Sequence, residues 1–378
     1  MLYASKQLQD TNLFQEYQQL INKYYHTSLQ KEYDQNQFLQ KMDLINTNTG
    51  EIAKIFHSFE KYYTKYTKSN EQKIYAIEAL AKSKGYEAVF ITLTLPTIFH
   101  PFKSIAYKNQ RLYTNINEAF SFDSIEDSIK HGYHFLNHIY RTLYKRIKTE
   151  VKNLYYVKVI ETHKTLIPHL HVVFFVPTSK KKIIFEKFSK IVTEFELDQY
   201  DYSTQQIESL ENEPSTTIKT KIGRASKYLL KYVLKSLNAE NIFWIRVLDG
   251  YKRDNRMRII TSSNLPLSMA DYRAIYHNLD SELKDKLLKE AKKEGINLFY
   301  LILKNIAIVS TTKEQRQIIK QKKYQQLLKQ KFVLIKQVIR RRRNELLSYS
   351  VNKLTFFINR QIIYKKDNYI RRLQEVML

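Results

Sequence analysis

Cysteine is absent from this 378-residue sequence, and glycine and proline are scarce, with six residues of each. The absence of cysteine excludes disulfides, thiolate zinc sites and a cysteine nucleophile, and it is typical of proteins in a reducing compartment. The sequence also lacks a G-x-x-x-x-G-K-[ST] run, which excludes a phosphate-binding loop of the usual kind.

Long apolar runs are missing as well. The longest, Leu170–Pro177 and Leu298–Leu303, are far shorter than a membrane span, and the N-terminus has no signal-peptide segment. We therefore expect a protein without membrane contact, located in the cytoplasm of its cell.

Positive charge dominates the composition. The chain has 63 Lys and Arg against 37 Asp and Glu, a formal net charge of +26. Such an excess favours a polyanionic partner, and nucleic acid is the leading candidate. A genome rich in A and T also enriches any protein in Lys, Asn, Ile and Tyr, so the charge supports this interpretation without deciding it.

The pattern of apolar residues divides the chain into three regions. Residues 1–85 have helix-like spacing, residues 86–276 mix strands with helices, and residues 277–378 form a basic region that we expect to be helical from about residue 312. The fold class expected is therefore α+β. The individual predictions are strands at Glu87–Pro96, Leu154–Glu161, Leu170–Val176 and Trp244–Ile260, and helices at Ser124–Asn153, Phe185–Phe195 and Arg224–Leu237.

Metal-ligand spacing occurs at the start of the third strand, in Pro168-His169-Leu170-His171. Alternation along a strand places His169 and His171 on one face, where two neutral imidazoles can share a metal ion. A hairpin with the preceding strand would bring Glu161 beside them. This donor set with open positions suits a catalytic Mg²⁺ or Mn²⁺. Alternatively, the two histidines lie at a strand edge by chance; His163 competes with Glu161, but in a turn a solvated histidine is more common.

A nucleophile candidate lies in the predicted helix at 224–237. Helical spacing places Tyr228, Lys231, Tyr232 and Lys235 on one stripe, opposite an aliphatic stripe that supplies core packing. The tyrosines can then face a cleft, with lysines beside them for phosphate charge. Among 29 tyrosines, pairs four residues apart are unsurprising, and Tyr62/Tyr66 and Tyr140/Tyr144 are further examples, which we expect to serve packing or surface roles.

Three segments follow one another in the sequence: Phe90–Pro96 with His100-Pro101, then Glu161-Thr-His163 leading into Pro168–His171, then Tyr228-x-x-Lys231-Tyr232. In this order they resemble the motifs of HUH rolling-circle replication initiators, in particular the two-tyrosine, gene A-like replication proteins of phages and related plasmids. The resemblance covers roughly residues 86–276. The turn at 163–168 lacks the glycine that often precedes the proline in this family.

The resemblance implies a fold, a reaction and partners. The fold is a central antiparallel sheet of the RRM-like HUH type, flanked by helices, with the histidine strand central. Glu161, His169 and His171 would hold Mg²⁺ or Mn²⁺, Tyr228 and Tyr232 would be nucleophiles, and Lys231 would contact phosphate. The reaction is nicking and joining of single-stranded or origin DNA, with a host helicase and polymerase as partners.

Further basic residues are predicted to bind DNA phosphates. They are Lys235 and the run Arg340, Arg341, Arg342 and Arg343, which ends a stretch of twelve Lys or Arg between Lys313 and Arg343. A solvated helical face is an equal alternative for the basic region. For the protein as a whole, the alternatives are an HUH transposase or relaxase, or a DNA-binding protein without catalytic activity.

Overall fold

The structure, a computed structural model, divides the chain into two compact units. The first comprises residues 1–32 and 81–263, and the second comprises 33–80 and 264–378. The structure describes residues 2–46, 50–107, 110–197, 217–219, 225–227, 229–230, 241–311, 331–343, 346–358, 361–365 and 369–373. This division follows contacts in the fold, whereas the predicted boundaries at 85 and 276 follow the pattern of residues along the sequence. The three regions that those boundaries define stay a prediction.

A five-stranded antiparallel sheet organises the first unit, in the order β8-β3-β7-β6-β9. Its strands are β3 (Tyr86–Leu93), β6 (Tyr155–Thr162), β7 (Pro168–Pro177), β8 (Thr217–Lys219) and β9 (Ile260–Ser262). The β-branched and aromatic runs that predicted β3, β6 and β7 form these strands, because such side chains pack well on a pleated surface. Strand β7 is central, as expected for the histidine strand.

One face of this sheet packs against two helices. Helix α4 (Ile125–Glu150) and helix α5 (Lys181–Glu194) bury apolar residues in a core shared with β3, β6 and β7. The Ser124 hydroxyl accepts from the Asp127 backbone N–H and caps α4, which fixes where this helix begins. The predictions of helices at Ser124–Asn153 and Phe185–Phe195 are confirmed, with the second starting earlier. Leu170, Val172 and Phe174 of β7 point into this core.

The rest of the first unit consists of short elements and two long helices. They are α1 (Lys6–Gln9), the first part of α2 (Asn12–Gln40), the hairpin of β4 (Phe102–Tyr107) with β5 (Gln110–Ile116), and α6 (Ile242–Asp254). Helices α2 and α6 touch closely at Gly250, where an added Cβ would lie 1.7 Å from the Tyr24 carbonyl oxygen. Glycine is therefore required at this crossing.

The prediction of strands over Trp244–Ile260 is wrong for most of that range. Helix α6 occupies it, capped by the Asn241 side chain, which accepts from the Phe243 backbone N–H. The buried residues Val247 and Tyr251 are four apart, which is a helical repeat. The aromatic and β-branched composition misled the prediction, and only Ile260–Ser262 forms a strand.

The described part of the second unit contains the end of α2, four further helices and two sheets. The four further helices are α3 (Phe59–Ser83), α7 (Met269–His277), α8 (Ser281–Lys293) and α9 (Leu298–Asn305). The part of α3 up to residue 80 belongs to this unit. One sheet has the order β14-β1-β2, from Tyr369–Leu373, Met42–Asn46 and Ile52–Lys54. The other runs β10-β11-β12-β13, from Ile306–Thr311, Phe332–Arg343, Leu346–Ile358 and Gln361–Lys365. Most of the N-terminal 85 residues are helical, as predicted.

The expectation of a basic helical region from about residue 312 is wrong wherever the structure describes that region. Residues 312–330 lie outside the description, and strands β11 to β14 follow. The run Phe332-Val-Leu-Ile and the later Val338-Ile339 are rich in β-branched and aromatic residues, which favours a strand. Arg340–Arg343 end β11, paired in register with Tyr349–Leu346 of β12.

Candidate active site

Strands β6 and β7 form a hairpin that assembles the predicted metal ligands. Glu161 pairs with His169 and Val159 pairs with His171, so Glu161, His169 and His171 project from one face of the sheet. The His171 Nε2 lies 3.0 Å from a Glu161 carboxylate oxygen. This face is the one opposite α4 and α5, because Leu170 between the two histidines is buried in the core with those helices.

A tight turn between the strands sets their register. The His163 backbone N–H donates to the Ile167 carbonyl at 2.9 Å, and the Leu166 N–H donates to the His163 carbonyl at 2.9 Å. Leu166 has a φ of 68°, in the left-handed region that favours glycine. Its side chain is 2% exposed and packs in the core of the unit. Apolar burial therefore holds a leucine in a backbone conformation that costs a non-glycine residue about 1–2 kcal/mol.

His163 is not the solvated turn histidine that was expected. Its Nε2 faces the Nε2 of His169 in close contact, and the two rings are nearly perpendicular, with centroids 3.7 Å apart. The His100 ring lies edge-on to His163 at 5.9 Å, and the His100 Nε2 lies 3.2 Å from the Leu95 carbonyl oxygen. The sequence analysis gave His163 too little weight, and it assigned no role to His100, although His100-Pro101 was part of the first motif of the family resemblance.

Strand β3 supplies two neighbours of His171 on the other side. Thr92 pairs with His171 across the sheet, and the Thr92 hydroxyl lies 3.1 Å from the His171 Nδ1. The Phe90 ring stacks on the imidazole at 5.8 Å between centroids. His171 is 3% exposed. Its two ring nitrogens therefore have separate polar neighbours, the threonine at Nδ1 and the carboxylate at Nε2, and such neighbours fix the tautomer and orientation of an imidazole.

Burial keeps the clustered histidines neutral. It lowers the pKa of His163 to about 4 and the pKa of His169 well below its usual range, and the neighbouring histidines add to both shifts. Burial is also the main cause of the lowered pKa of His100. A neutral imidazole keeps a nitrogen lone pair, which is the form that binds a metal ion.

The donor types at this site fit a divalent ion, although the side chains stand as two pairs. One pair is His163 with His169, and the other is Glu161 with His171. Within the described ranges, no three His, Asp or Glu side chains converge closely enough to hold an ion as they stand. Imidazole nitrogens with a carboxylate oxygen are donors used by Mn²⁺ and similar ions.

A family profile described as bacteriophage replication gene A protein (GPA) matches residues 11–240, more than half of the chain. The chain belongs to this family. The replication gene A protein of Escherichia phage P2 is 23% identical over 225 residues, 58% of this chain and 26% of that protein. The matched part thus spans about a quarter of this relative's length. No solved structure matches the chain.

The predicted tyrosine helix of this gene A family protein is described only in part. Tyr228, Lys231, Tyr232 and Lys235 lie outside the described residues. Residues 225–227 and 229–230 are helical, and Leu229 and Leu230 are buried, as expected of the aliphatic stripe. The family match at 11–240 includes both the histidine hairpin and these tyrosines, and it ends before the basic residues Arg340–Arg343.

Among the described residues of this gene A family protein, no helix is long and apolar enough to cross a bilayer.

Proposed function

We propose that this gene A family protein initiates rolling-circle replication of phage or plasmid DNA by nicking one strand, with a tyrosine as nucleophile and Mg²⁺ or Mn²⁺ as cofactor. The carrying observation is the β6–β7 hairpin, which places Glu161, His169 and His171 on one face of the central strand pair. Membership of a phage replication family supports the replication role.

In this proposal the hairpin holds the ion. Glu161, His169 and His171 are the ligands, and His163, whose Nε2 faces His169, is a fourth candidate donor. The bound ion would polarise the scissile phosphate and neutralise charge as it develops. The neutral state of His163 and His169 leaves their nitrogens available without prior loss of a proton.

Two tyrosines perform the strand exchange. The Tyr228 or Tyr232 oxygen loses its proton and attacks the phosphorus, a 5′-phosphotyrosine bond forms, and the bond to the 3′ oxygen breaks to leave a free 3′-hydroxyl. A host polymerase extends that end. The second tyrosine then cuts the regenerated origin in the same way while the first is occupied. The 3′-hydroxyl that this cut frees attacks the phosphorus of the first phosphotyrosine, a phosphodiester bond forms, and the first tyrosine leaves with its proton restored, so that a joined single strand is released. Lys231 between them stabilises phosphate charge.

The basic residues hold the DNA. The formal net charge is +26, and Lys235 with Arg340, Arg341, Arg342 and Arg343 would contact phosphates, which position DNA without reading its sequence. In this proposal a helicase of the host separates the strands. The site of action is the cytoplasm of the bacterial host.

Covalent adduct formation tests the proposal. The purified protein is incubated with Mn²⁺ and single-stranded DNA from its own replicon, and adducts are resolved on a denaturing gel. We expect a metal-dependent adduct in the wild type, its loss in the Tyr228→Phe/Tyr232→Phe double variant, and assignment of the order of cutting from the single variants. The matched control is Tyr140→Phe/Tyr144→Phe, a tyrosine pair with the same spacing on α4, which should form the adduct normally.

Each other outcome has a distinct meaning. A wild type that binds the DNA without forming an adduct with any metal is a non-catalytic DNA-binding protein. An adduct that survives in the double variant places the nucleophile elsewhere. Adducts formed only with the ends of a mobile element or a conjugative transfer origin indicate a transposase or relaxase that uses the same chemistry.

A further inference from the structure

The second unit exposes an unusual number of large apolar side chains in one short segment. Among the residues between 33 and 62 whose side chains the structure describes, five such side chains are exposed to solvent: Tyr33 (60%), Phe38 (56%), Ile52 (65%), Phe56 (76%) and Tyr62 (43%). Scattered exposure of this kind is ordinary, but a concentration of exposed aromatic rings marks an interaction surface. None of these residues belongs to the site described above.

Three aromatic rings in this segment and just after it form a row, namely those of His57, Tyr62 and Tyr66. The His57 and Tyr62 ring centroids are 5.4 Å apart, and the Tyr62 and Tyr66 rings stack at 6.2 Å with 16° between their planes. Tyr62 and Tyr66 lie four residues apart on α3 and so share one side of that helix. The exposed Phe56 ring is attached one residue before His57.

Hydrogen bonds hold the start of this row in place. The Asn36 side chain donates to the His57 carbonyl at 3.0 Å and accepts from the His57 backbone N–H at 2.8 Å. This two-way contact ties the end of α2, which carries the exposed Phe38, to residue 57. The rings are therefore presented by a fixed backbone, which lowers the entropy lost when a partner binds.

Lysines accompany the rings. Lys61, Lys65 and Lys68 on α3 are exposed, and none of their ammonium groups has an ion-pair partner within the part of the chain that the structure describes. Glu60 is the one acidic residue between 59 and 70. The exposed Lys54 on β2 is paired with Asp43 at 2.9 Å, so it contributes less. The row is thus flanked by positive charge that the described fold leaves unneutralised.

We propose that this surface, comprising Phe56, His57, Tyr62 and Tyr66 with Lys61 and Lys65, binds single-stranded DNA. Aromatic faces stack on unpaired bases of any sequence, and lysines beside them attract the phosphates; this combination is typical of single-strand binding and does not suit a base-paired duplex, whose bases are already stacked. This surface would give a role to the exposed side chains of Tyr62 and Lys65, which lie beside Tyr66 on α3.

Fluorescence anisotropy tests the inference with the full-length protein. The probe is an oligothymidylate of roughly 20 nucleotides, longer than a single stacking platform needs, and a duplex of the same length is measured in parallel. We expect Phe56→Ala and Tyr62→Ala each to weaken single-strand binding by about tenfold, and Tyr62→Phe to bind as the wild type, since a phenylalanine ring stacks equally well. Lys65→Gln should make binding less dependent on salt concentration.

Leu288→Ala is the matched control, because Leu288 is also an exposed apolar residue of the second unit, at 42%. Its affinity should equal that of the wild type, and circular dichroism verifies that all variants fold. The inference is overturned if the Phe56→Ala/Tyr62→Ala double variant binds single-stranded DNA within twofold of the wild-type affinity. It is also overturned if this variant loses affinity for the duplex to the same extent as for the single strand. Capture of a protein partner by this surface without any change in DNA affinity also overturns it.

The outcome is separate from that of the proposed nicking. Since Tyr62 lies outside the adduct-forming helix, the Tyr62→Ala variant should still form adduct at saturating DNA. Absence of adduct in the wild type, with the aromatic variants still impaired in binding, would refute the nuclease and leave the single-strand surface standing.

Discussion

Lys158 carries an ammonium group into the core between the central sheet and α4. It is 5% exposed, its Nζ donates to the Asn137 side-chain oxygen at 2.7 Å, and it lies 4.7 Å from the centre of the Tyr140 ring. Burial, followed by the charge of Arg141, lowers the pKa of Lys158 from 10.5 to about 8. A decrease of this size corresponds to a penalty of about 3 kcal/mol on the charged form.

Replacing Lys158 with Met should therefore stabilise the protein at neutral pH. The methionine side chain fills a similar volume without a charge, so the penalty of about 3 kcal/mol disappears. Loss of the hydrogen bond to Asn137 reduces this gain in stability by about 1–2 kcal/mol. We expect the free energy of unfolding to rise by about 1–2 kcal/mol near pH 7, measured by urea denaturation followed by circular dichroism.

The pH dependence separates this explanation from improved packing. Below pH 8, the lysine is protonated in both the folded and unfolded states, and the full penalty applies. Between about pH 8 and 10.5 the unfolded state binds more protons than the folded state, so the wild type gains stability as pH rises. The advantage of Lys158→Met should thus shrink or reverse by about pH 9.5. A variant that is less stable at pH 7, or a difference that does not change with pH, would refute this reasoning.

Two further predictions concern packing and the metal site. Gly250→Ala should lower the free energy of unfolding by about 3 kcal/mol or more, because the new methyl group meets the Tyr24 backbone. Gly132→Ala should cost less, since it meets only the movable end of a leucine side chain; equal urea midpoints for the two variants would contradict this. Thr92→Val should weaken Mn²⁺ binding by about 10- to 100-fold in calorimetry, because His171 loses its Nδ1 neighbour, whereas Thr92→Ser should bind normally.

The parts of the fold that could be predicted are those with local periodic signals. Apolar alternation and the two-residue repeat of His169 and His171 identified β7, and the turn-sized gap after Glu161 indicated its hairpin partner. The amphipathic pattern behind Ser124 identified α4. These features depend on neighbours in sequence, which a single chain displays directly.

The parts that could not be predicted depend on tertiary contacts. The composition of α6 resembles a strand, and it is helical because Val247 and Tyr251 pack with the core that includes Tyr24. Strand β11, which ends at the basic run 340–343, was also not predicted. His163 was underestimated because its position in a turn gives no sign that the turn folds back onto His169.

The buried turn leucine has a consequence for how the site would bind the proposed metal ion. A glycine at position 166 would adopt the same backbone angle freely and would leave the hairpin end able to open and close. Leu166 instead packs in the core, so the turn between Glu161 and His169 is held in one position relative to the sheet. The side chains of Glu161 and His169 would then adapt to the proposed ion by rotation rather than by movement of the strands, and the fixed backbone would disfavour an ion of the wrong size.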